Sequence, residues 1–544
     1  MPVPVRRHAA LLNVDALLAA FEDLLPDPSN PAQCVHFGTS GHRGCAFERS
    51  FNRAHVIAIT QAICDVRRMI GITGPMFVAI DTHAVSAPAC ATALRVLQAN
   101  DVQACVAPPG GYTPTPVLSH AILRHNASGS TRLADGIALT PSHNPPRDGG
   151  YKYNLPHGGA ADTAITERIE QIANGHLRSE LRAVRALHAG GPYAHAHCAA
   201  LIHDFMQPYV DDLPAVLDMP LLSSAGLEIA VDCMGGAGLQ YWPRIAAQHH
   251  LRLHLFNATV DPQFAFMPPD WDGQIRMDPA STDAMQTLIA RAPAFDLAIA
   301  CDTDHDRHGI VSPQGTLIPA NHYLAAAADY LFGHRSDWPQ GAGIGKSMVT
   351  TRLLERIAQQ RGLRLLDMPV GFKWFVRGLT NGALAFAGEE SAGATFLRRN
   401  GQVWTTDKDG MVAGLLAAEI TAHDKAPPDH RHLQLTRRLG GAFEGRRAVP
   451  ATAAQRARIR ALHAAQLATL PGAGPPPLRV LTEAPGNGQP FDGVRIDLPD
   501  GWFALRPSGT EALVRIYAES QSDATDLLHL LARATRIAEC FGSF

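Results

Sequence analysis

Short apolar runs bounded by glycine, proline and polar residues alternate along the chain with stretches of helical spacing. Residues 76–80, 102–107 and 136–140 read as strands, too short and too uniformly apolar for helices, and 86–98 and 116–124 read as the helices between them. The cadence returns with strands at 227–231, 251–256 and 295–300, a helix after Gly238 and another near 282–290. It returns again with a helix over 351–360 and strands at 363–366 and 383–386. The pattern predicts an α/β protein of three related α/β mixed-sheet domains, with functional loops at the C-terminal ends of strands around a central cleft. After about Gly440 the texture changes to an alanine-rich helix over 453–470, a proline- and glycine-rich loop over 471–477, short strands and a last helix over 523–540. That part reads as a smaller, mobile C-terminal α+β domain. The expected boundaries are 1–205, 206–320, 321–440 and 441–544, with a helical lead-in over 11–25 and connectors at 182–200 and 425–428.

Three of the strands deliver polar loops. The run 136–140 is stopped by Pro141, Pro145 and Pro146, which lack an amide donor and fix their own φ, so Ser142 must sit on a loop. Ser142, His143, Asn144 and, ten positions on, Lys152 offer a hydroxyl nucleophile, a proton acceptor and a cation for phosphate oxygens. A polar turn between strand and helix would account for the string alone. The second loop, after 295–300, carries Asp302, Asp304 and Asp306 at alternate positions. Gathered without a partner, these carboxylates would repel one another and take up protons, and a divalent cation removes the difficulty. Oxygen donors without a Cys or His pattern favour Mg2+ over zinc, and the Mg2+ position left for a phosphate oxygen suits a phosphate on Ser142. A solvated acidic turn is the alternative. Arg307 beside these residues makes sense next to a phosphate. The third loop places Glu389 and Ser391, suited to sugar hydroxyls that donate and accept at once, where a helix N-terminal cap is the plainer reading.

Two more stretches carry candidate chemistry. Arg43 lies in the glycine-rich loop 37–44, and Arg506, Ser508, Gly509 and Thr510 form a small anion cradle that could equally be a hairpin turn. The string 341–347 lacks the glycine spacing of a nucleotide-binding P-loop and reads as a turn before a strand.

Composition narrows the classes. At 544 residues the chain exceeds one core, and its 46% hydrophobic and 18% charged residues are those of a soluble globular protein. A net charge of -3 gives no field for nucleic acid or an anionic membrane, so bound phosphate must be held by local geometry. Nine cysteines with no C-x-x-C pair read as reduced thiols of a cytoplasmic protein, and neither a secretory leader nor a membrane span is expected.

In this order the motifs F-G-T-S-G-H-R-G, T-P-S-H-N-P-P-R-D-G-G-Y-K-Y-N, D-T-D-H-D-R-H-G, V-G-F-K-W-F-V, G-E-E-S-A-G-A and R-P-S-G-T-E resemble those of the α-D-phosphohexomutase superfamily, most of all its bacterial α-D-glucose-specific members. The resemblance implies that Ser142 carries a transferable phosphoryl group and that Ser142, Asp302, Asp304 and Asp306 hold Mg2+. It implies that Glu389 and Ser391 grip the sugar, that Arg506, Ser508 and Thr510 bind the distal phosphate, and that Arg43, His143, Lys152 and Lys373 line the cleft in acid/base roles. The activity implied is interconversion of glucose 1-phosphate and glucose 6-phosphate through glucose 1,6-bisphosphate, by a monomer or homodimer. Relatives acting on mannose or glucosamine phosphates, and a phosphosugar-binding protein without turnover, are the alternatives.

Overall fold

The computed structural model describes residues 11–38, 41–185, 200–462, 477–508 and 512–540. Most of the connector expected at 182–200, the alanine-rich helix beyond Leu462, nearly all of the loop 471–477, and Gly509 and Thr510 lie outside the described residues. The chain forms two compact units, Met1–Pro319 with Ser391–Pro427, and Ala320–Glu390 with Pro428–Phe544.

In the first unit a seven-stranded sheet is built on the parallel strands Met76–Ile80, Ala104–Val106 and Asp135–Leu139. Their apolar runs are buried almost throughout, as a sheet covered on both faces requires. Helices Arg53–Met69, Ser86–Ala99 and Thr163–Arg178 share one core with the sheet, in which Val56, Ile59, Val78, Ala93, Ile137 and Ile169 meet. Helix Thr115–Ala127 packs on strands Met76–Ile80 and Asp135–Leu139. Because Ile80 is paired with Leu139, both strands end at one level and Asp81 lies beside Thr140.

Two antiparallel strands extend the sheet, one of them where sequence reading expects a loop. Asp148–Asn154 returns beside Asp135–Leu139 with Ala138 opposite Lys152, and Gly41–Cys45 adds to it with Arg43 opposite Gly150. Arg43 is therefore fixed in a strand, not carried on a glycine-rich loop. Glycine hides these strands from propensity but is what the packing needs: a Cβ on Gly150 would stand 2.2 Å from the carbonyl oxygen of Thr140.

The second sheet has five strands, with Arg252–Phe256, Glu228–Asp232 and Leu297–Cys301 parallel and His308–Val311 and Leu317–Ile318 antiparallel. Cys301 pairs with His308, so residues 302–307 are the tip of a tight hairpin. Helix Gly410–Asp424, far along the chain, packs on Leu297–Cys301 and His308–Val311. Its Gly414 lies so near Ile299 that a Cβ there would meet that side chain at 2.5 Å.

In the second unit Leu365–Met368, Gly343–Ser347 and Leu384–Glu389 pair in parallel. The stretch 341–347 is thus a turn running into a strand whose Lys346 is fully buried, 3.1 Å from both Asp367 and Glu355. A five-stranded antiparallel sheet follows, with Gly501–Pro507 beside Leu513–Ser520, and helix Ala524–Cys540 closes its core against Phe503, Leu505 and Ile516. Three α/β sheets and a C-terminal α+β sheet agree with the sequence reading. No helix of the described residues is long and apolar enough to cross a membrane.

Candidate active site

Ser142 follows the strand Asp135–Leu139 after Thr140 and Pro141, in the left-handed region at φ 57°. A non-glycine residue holds that conformation only where its surroundings impose it. Its amide donates to Thr140 Oγ1 (2.9 Å), and its carbonyl oxygen accepts from the Thr303 hydroxyl. Its own Oγ donates to Asp302 Oδ2 at 2.7 Å and lies 3.4 Å from His143 Nδ1. The serine loop and the aspartate hairpin are thereby one structure.

Asp302, Asp304 and Asp306 each present a carboxylate oxygen within 4.8 Å of the others, and all three are buried. Lys152 Nζ bridges Asp304 Oδ2 (2.5 Å) and Asp306 Oδ2 (2.9 Å), and Thr115 Oγ1 also donates to Asp304 Oδ2 (2.6 Å). Oδ1 of Asp304 and Oδ1 of Asp306 are buried without a hydrogen-bond partner. Burial, with Asp304 and Asp306 as neighbours, pushes the Asp302 carboxyl well above its ordinary value. Burial also works against the Asp306 carboxylate, but Lys152, Lys408 and Arg307 together pull it well below. Two orphaned buried oxygens and one carboxyl forced toward its neutral form are what a hard cation with oxygen ligands would satisfy. The residues present fit such an ion.

The cations divide by partner. Burial lowers the Lys152 ammonium, yet Asp304 and Asp306 raise it further than burial lowers it, so it stays charged. Arg43 donates to Asn144 Oδ1 (2.9 Å), and burial, then Arg307, pull it below its usual value. Arg307 is raised by Asp278 and the three aspartates against its own burial. His143 is held well below its ordinary value by burial and by Arg307 and Arg43, so it sits neutral beside Ser142, able to accept a proton. Ser391 belongs to the same unit.

The second unit holds the other predicted residues. Glu389 ends the strand Leu384–Glu389 and accepts from the Gly371 amide at 2.7 Å. Gly371, at φ 129°, opens the short turn Phe372–Trp374 that carries Lys373, whose Nζ lies 5.3 Å from the Trp374 ring centroid. Arg506 lies near the end of its strand, paired with Arg515, and Ser508 follows with its amide on Leu513 O (2.9 Å). Ser508 is buried.

Four family models cover the chain in order: phosphoglucomutase/phosphomannomutase alpha/beta/alpha domain I at 35–178, domain II at 207–315, domain III at 319–438 and the C-terminal domain at 450–534. A phosphoglucomutase of Komagataeibacter xylinus is 50% identical over 95% of this chain and 93% of its own. The chain belongs to the phosphoglucomutase/phosphomannomutase family. Among solved structures, the open form of the Paramecium phosphoprotein parafusin, a phosphoglucomutase, shares the fold with a TM-score of 0.73, at 22% identity over 95% of both chains. A putative phosphomannomutase of Thermus thermophilus does so with 0.71, at 24% identity over 95% of this chain and all of that one.

Within this family fold, sequence reading passes over one cation at the centre. Lys408 Nζ lies 3.1 Å from Asp306 Oδ2 and 4.0 Å from Asp407 Oδ1. The signal was present: Asp409 caps helix Gly410–Asp424 through the Val412 amide, so Asp409-Gly410 announces a helix start, and Lys408 stands just before it. Tyr209 and Trp404 also donate to Asp409, which fixes the helix start and therefore Lys408. Gly393 makes the room, since a Cβ there would stand 2.0 Å from Lys408 Cδ.

Proposed function

We propose that the protein is a phosphoglucomutase: it interconverts α-D-glucose 1-phosphate and glucose 6-phosphate through a phosphoserine at Ser142 and bound glucose 1,6-bisphosphate. The observation that carries this reading is the 2.7 Å contact between Ser142 Oγ and Asp302 Oδ2, inside a cluster of three carboxylates and two lysines. The half-identical relative named phosphoglucomutase supports glucose as the sugar.

The residues support this course. Phosphoserine 142 gives its phosphoryl group to O6 of glucose 1-phosphate, the bisphosphate turns end for end, and the O1 phosphoryl group returns to the Ser142 oxygen. The transition state is loose, so positioning and charge neutralisation carry most of the rate. Lys152, Lys408, Arg43 and Arg307 are the cations available to the phosphoryl oxygens, and neutral His143 can take the hydroxyl proton. Asp302, Asp304 and Asp306, with the Ser142 phosphate, would hold Mg2+, which supplies charge stabilisation to the oxygens of the transferring group. Glu389 and Ser391 serve the sugar hydroxyls, Arg506, Ser508, Gly509 and Thr510 the distal phosphate, and Lys373 the hydroxyl end of the substrate. Eight cysteines without a disulfide among the described residues support a cytoplasmic setting, with small phosphosugars as ligands and a monomer or homodimer as the working form.

The test is intact mass and peptide mapping after incubation with glucose 1,6-bisphosphate, followed by a coupled assay for glucose 6-phosphate. A phosphoryl group on Ser142, and loss of turnover in Ser142→Ala, are expected. An unmodified Ser142 with full activity in Ser142→Ala would falsify the mechanism. Side-by-side assay of the 1-phosphates of glucose, mannose and glucosamine tests the choice of sugar.

A further inference from the structure

Against the Ser142 loop lies a buried charged group that none of the steps above uses. Asp81 and His83 follow the strand Met76–Ile80, and neither is more than 2% exposed. Asp81 Oδ2 accepts from Thr140 Oγ1 (2.6 Å) and pairs with His83 Nδ1 (2.8 Å). Its Oδ1 accepts from Ser86 Oγ (2.6 Å) and from the His83 amide (3.0 Å). Thr140 Oγ1, having given its proton to Asp81, accepts the Ser142 amide. On the far side of the serine, His83 Nε2 lies 3.2 Å from the carbonyl oxygen of Asn144. One carboxylate and its histidine thus hold the chain at 140 and at 144, and Ser142, midway between them, is the residue at φ 57°.

The two partners of the His83 ring decide its charge. A carboxylate and a peptide carbonyl only accept, so both ring nitrogens must carry protons for both contacts to form, which makes the ring an imidazolium. Burial pulls the ring down, but Asp81 lifts it above its ordinary value, and Asp148 adds to the lift. The Phe264 ring, 5.0 Å from that of His83, covers the pair. Burial works against the Asp81 carboxylate, yet His83 and the hydroxyls of Ser86 and Thr140 hold it below its usual value.

We propose that Asp81 and His83 are positioning residues for phosphoryl transfer: a buried carboxylate–imidazolium clamp that fixes the Ser142 loop on both sides of the nucleophile. The clamp holds the strained backbone in which Oγ faces Asp302, so the serine does not have to be re-aimed in each half of the cycle. The idea rests on the mutase reading for its kinetic consequence, but its charge state does not.

Two measurements test it. Nitrogen NMR of histidine-labelled, full-length protein reads the His83 ring directly, with Asp81→Asn to assign the signal. An imidazolium at neutral pH that becomes neutral in Asp81→Asn is expected, and a neutral ring in the wild type would overturn the clamp. In the coupled assay, Thr140→Val, which keeps the shape and deletes the hydroxyl, is expected to lower kcat on the order of a hundredfold with KM changed less than about twofold, and Thr140→Ser to restore most of it. A Thr140→Val protein that unfolds at lower temperature yet keeps wild-type kcat would show a merely structural hydroxyl and overturn the clamp. If the wild type itself does not interconvert glucose phosphates while His83 is an imidazolium, the mutase reading fails and the clamp is supported as the device that shapes the loop.

Discussion

Lys152→Met gives the most direct measure of how the aspartate hairpin is held together. Lys152 is buried and spans Asp304 and Asp306 at 2.5 and 2.9 Å, while Lys408 lies 3.1 Å from Asp306. Asp302 is already pushed toward its neutral form, so without Lys152, and with divalent cations chelated, a second of the three buried carboxyls must take up a proton. Protonating a carboxyl of ordinary pKa near 4 in neutral buffer costs about 1.4 kcal/mol per pH unit, or about 4 kcal/mol. That caps the loss and agrees with the roughly 3–5 kcal/mol for breaking a buried pair on one side. The sign follows from linkage: the Lys152 ammonium is raised above its ordinary value of 10.5, so its contribution is fully present below that value and is lost only as pH rises through the folded value. Acid lightens the variant's penalty, because the proton becomes cheaper, and near pH 5 about 1–2 kcal/mol should be left. Calorimetry in chelator should show the transition of the first unit lowered by about 4–8 °C at neutral pH, at roughly 1–2 °C per kcal/mol for a unit of this size, and by less than half that near pH 5. Added Mg2+ should raise the variant's transition more than the wild type's, since a cation replaces the lost charge. An unchanged transition in chelator, or a loss that does not vary with pH, would refute this account of the hairpin.

Buried histidines should make the first unit sensitive to acid. Burial depresses His42 and His308 to about 3 and His55 to about 4, so each contributes stability present above about 6.5 that is lost as pH falls through the window down to those values. Near pH 5 these three rings take up about three protons on unfolding, roughly 4 kcal/mol per pH unit, while Asp135, Asp232 and Asp409, whose carboxyls burial pushes up to about 6, release theirs and offset much of that slope. The histidine share is therefore read as a difference: His55→Gln should flatten the pH dependence in denaturant titrations by about 1 kcal/mol per unit near pH 5, and an unchanged dependence would contradict it. Lys408→Ala should lower kcat/KM on the order of ten- to a hundredfold, and Lys408→Arg should not restore it, because Gly393 leaves room for a slim stem and the ammonium meets Asp306 as a point charge. Coupled-assay kinetics with an intact thermal transition would check this, and near-wild-type rates in Lys408→Ala would remove Lys408 from the site.

What could be read from the chain was whatever is announced locally. Prolines at 141, 145 and 146 end a strand whatever lies around it, and aspartates at 302, 304 and 306 have to converge once the chain turns back, which the pairing of Cys301 with His308 makes it do. The three parallel strands of the first sheet were legible because both faces are buried and their sequences are apolar without interruption. The antiparallel strands Gly41–Cys45 and Asp148–Asn154 were not, since their glycines serve close approach and not propensity. Helix Gly410–Asp424 was missed for the opposite reason: residues 410–422 are buried all round, so the sequence carries no amphipathic stripe to set it apart from other apolar stretches. Lys408 depends on that helix, and Asp81 and His83 depend on the register that sets Ile80 against Leu139. A site made of one loop can be seen in a sequence, whereas the groups that hold the loop still come from strands and helices whose proximity only the fold decides. That is why Ser142, the three aspartates and Lys152 are legible in the sequence, whereas Lys408, Asp81 and His83 are legible only in the fold.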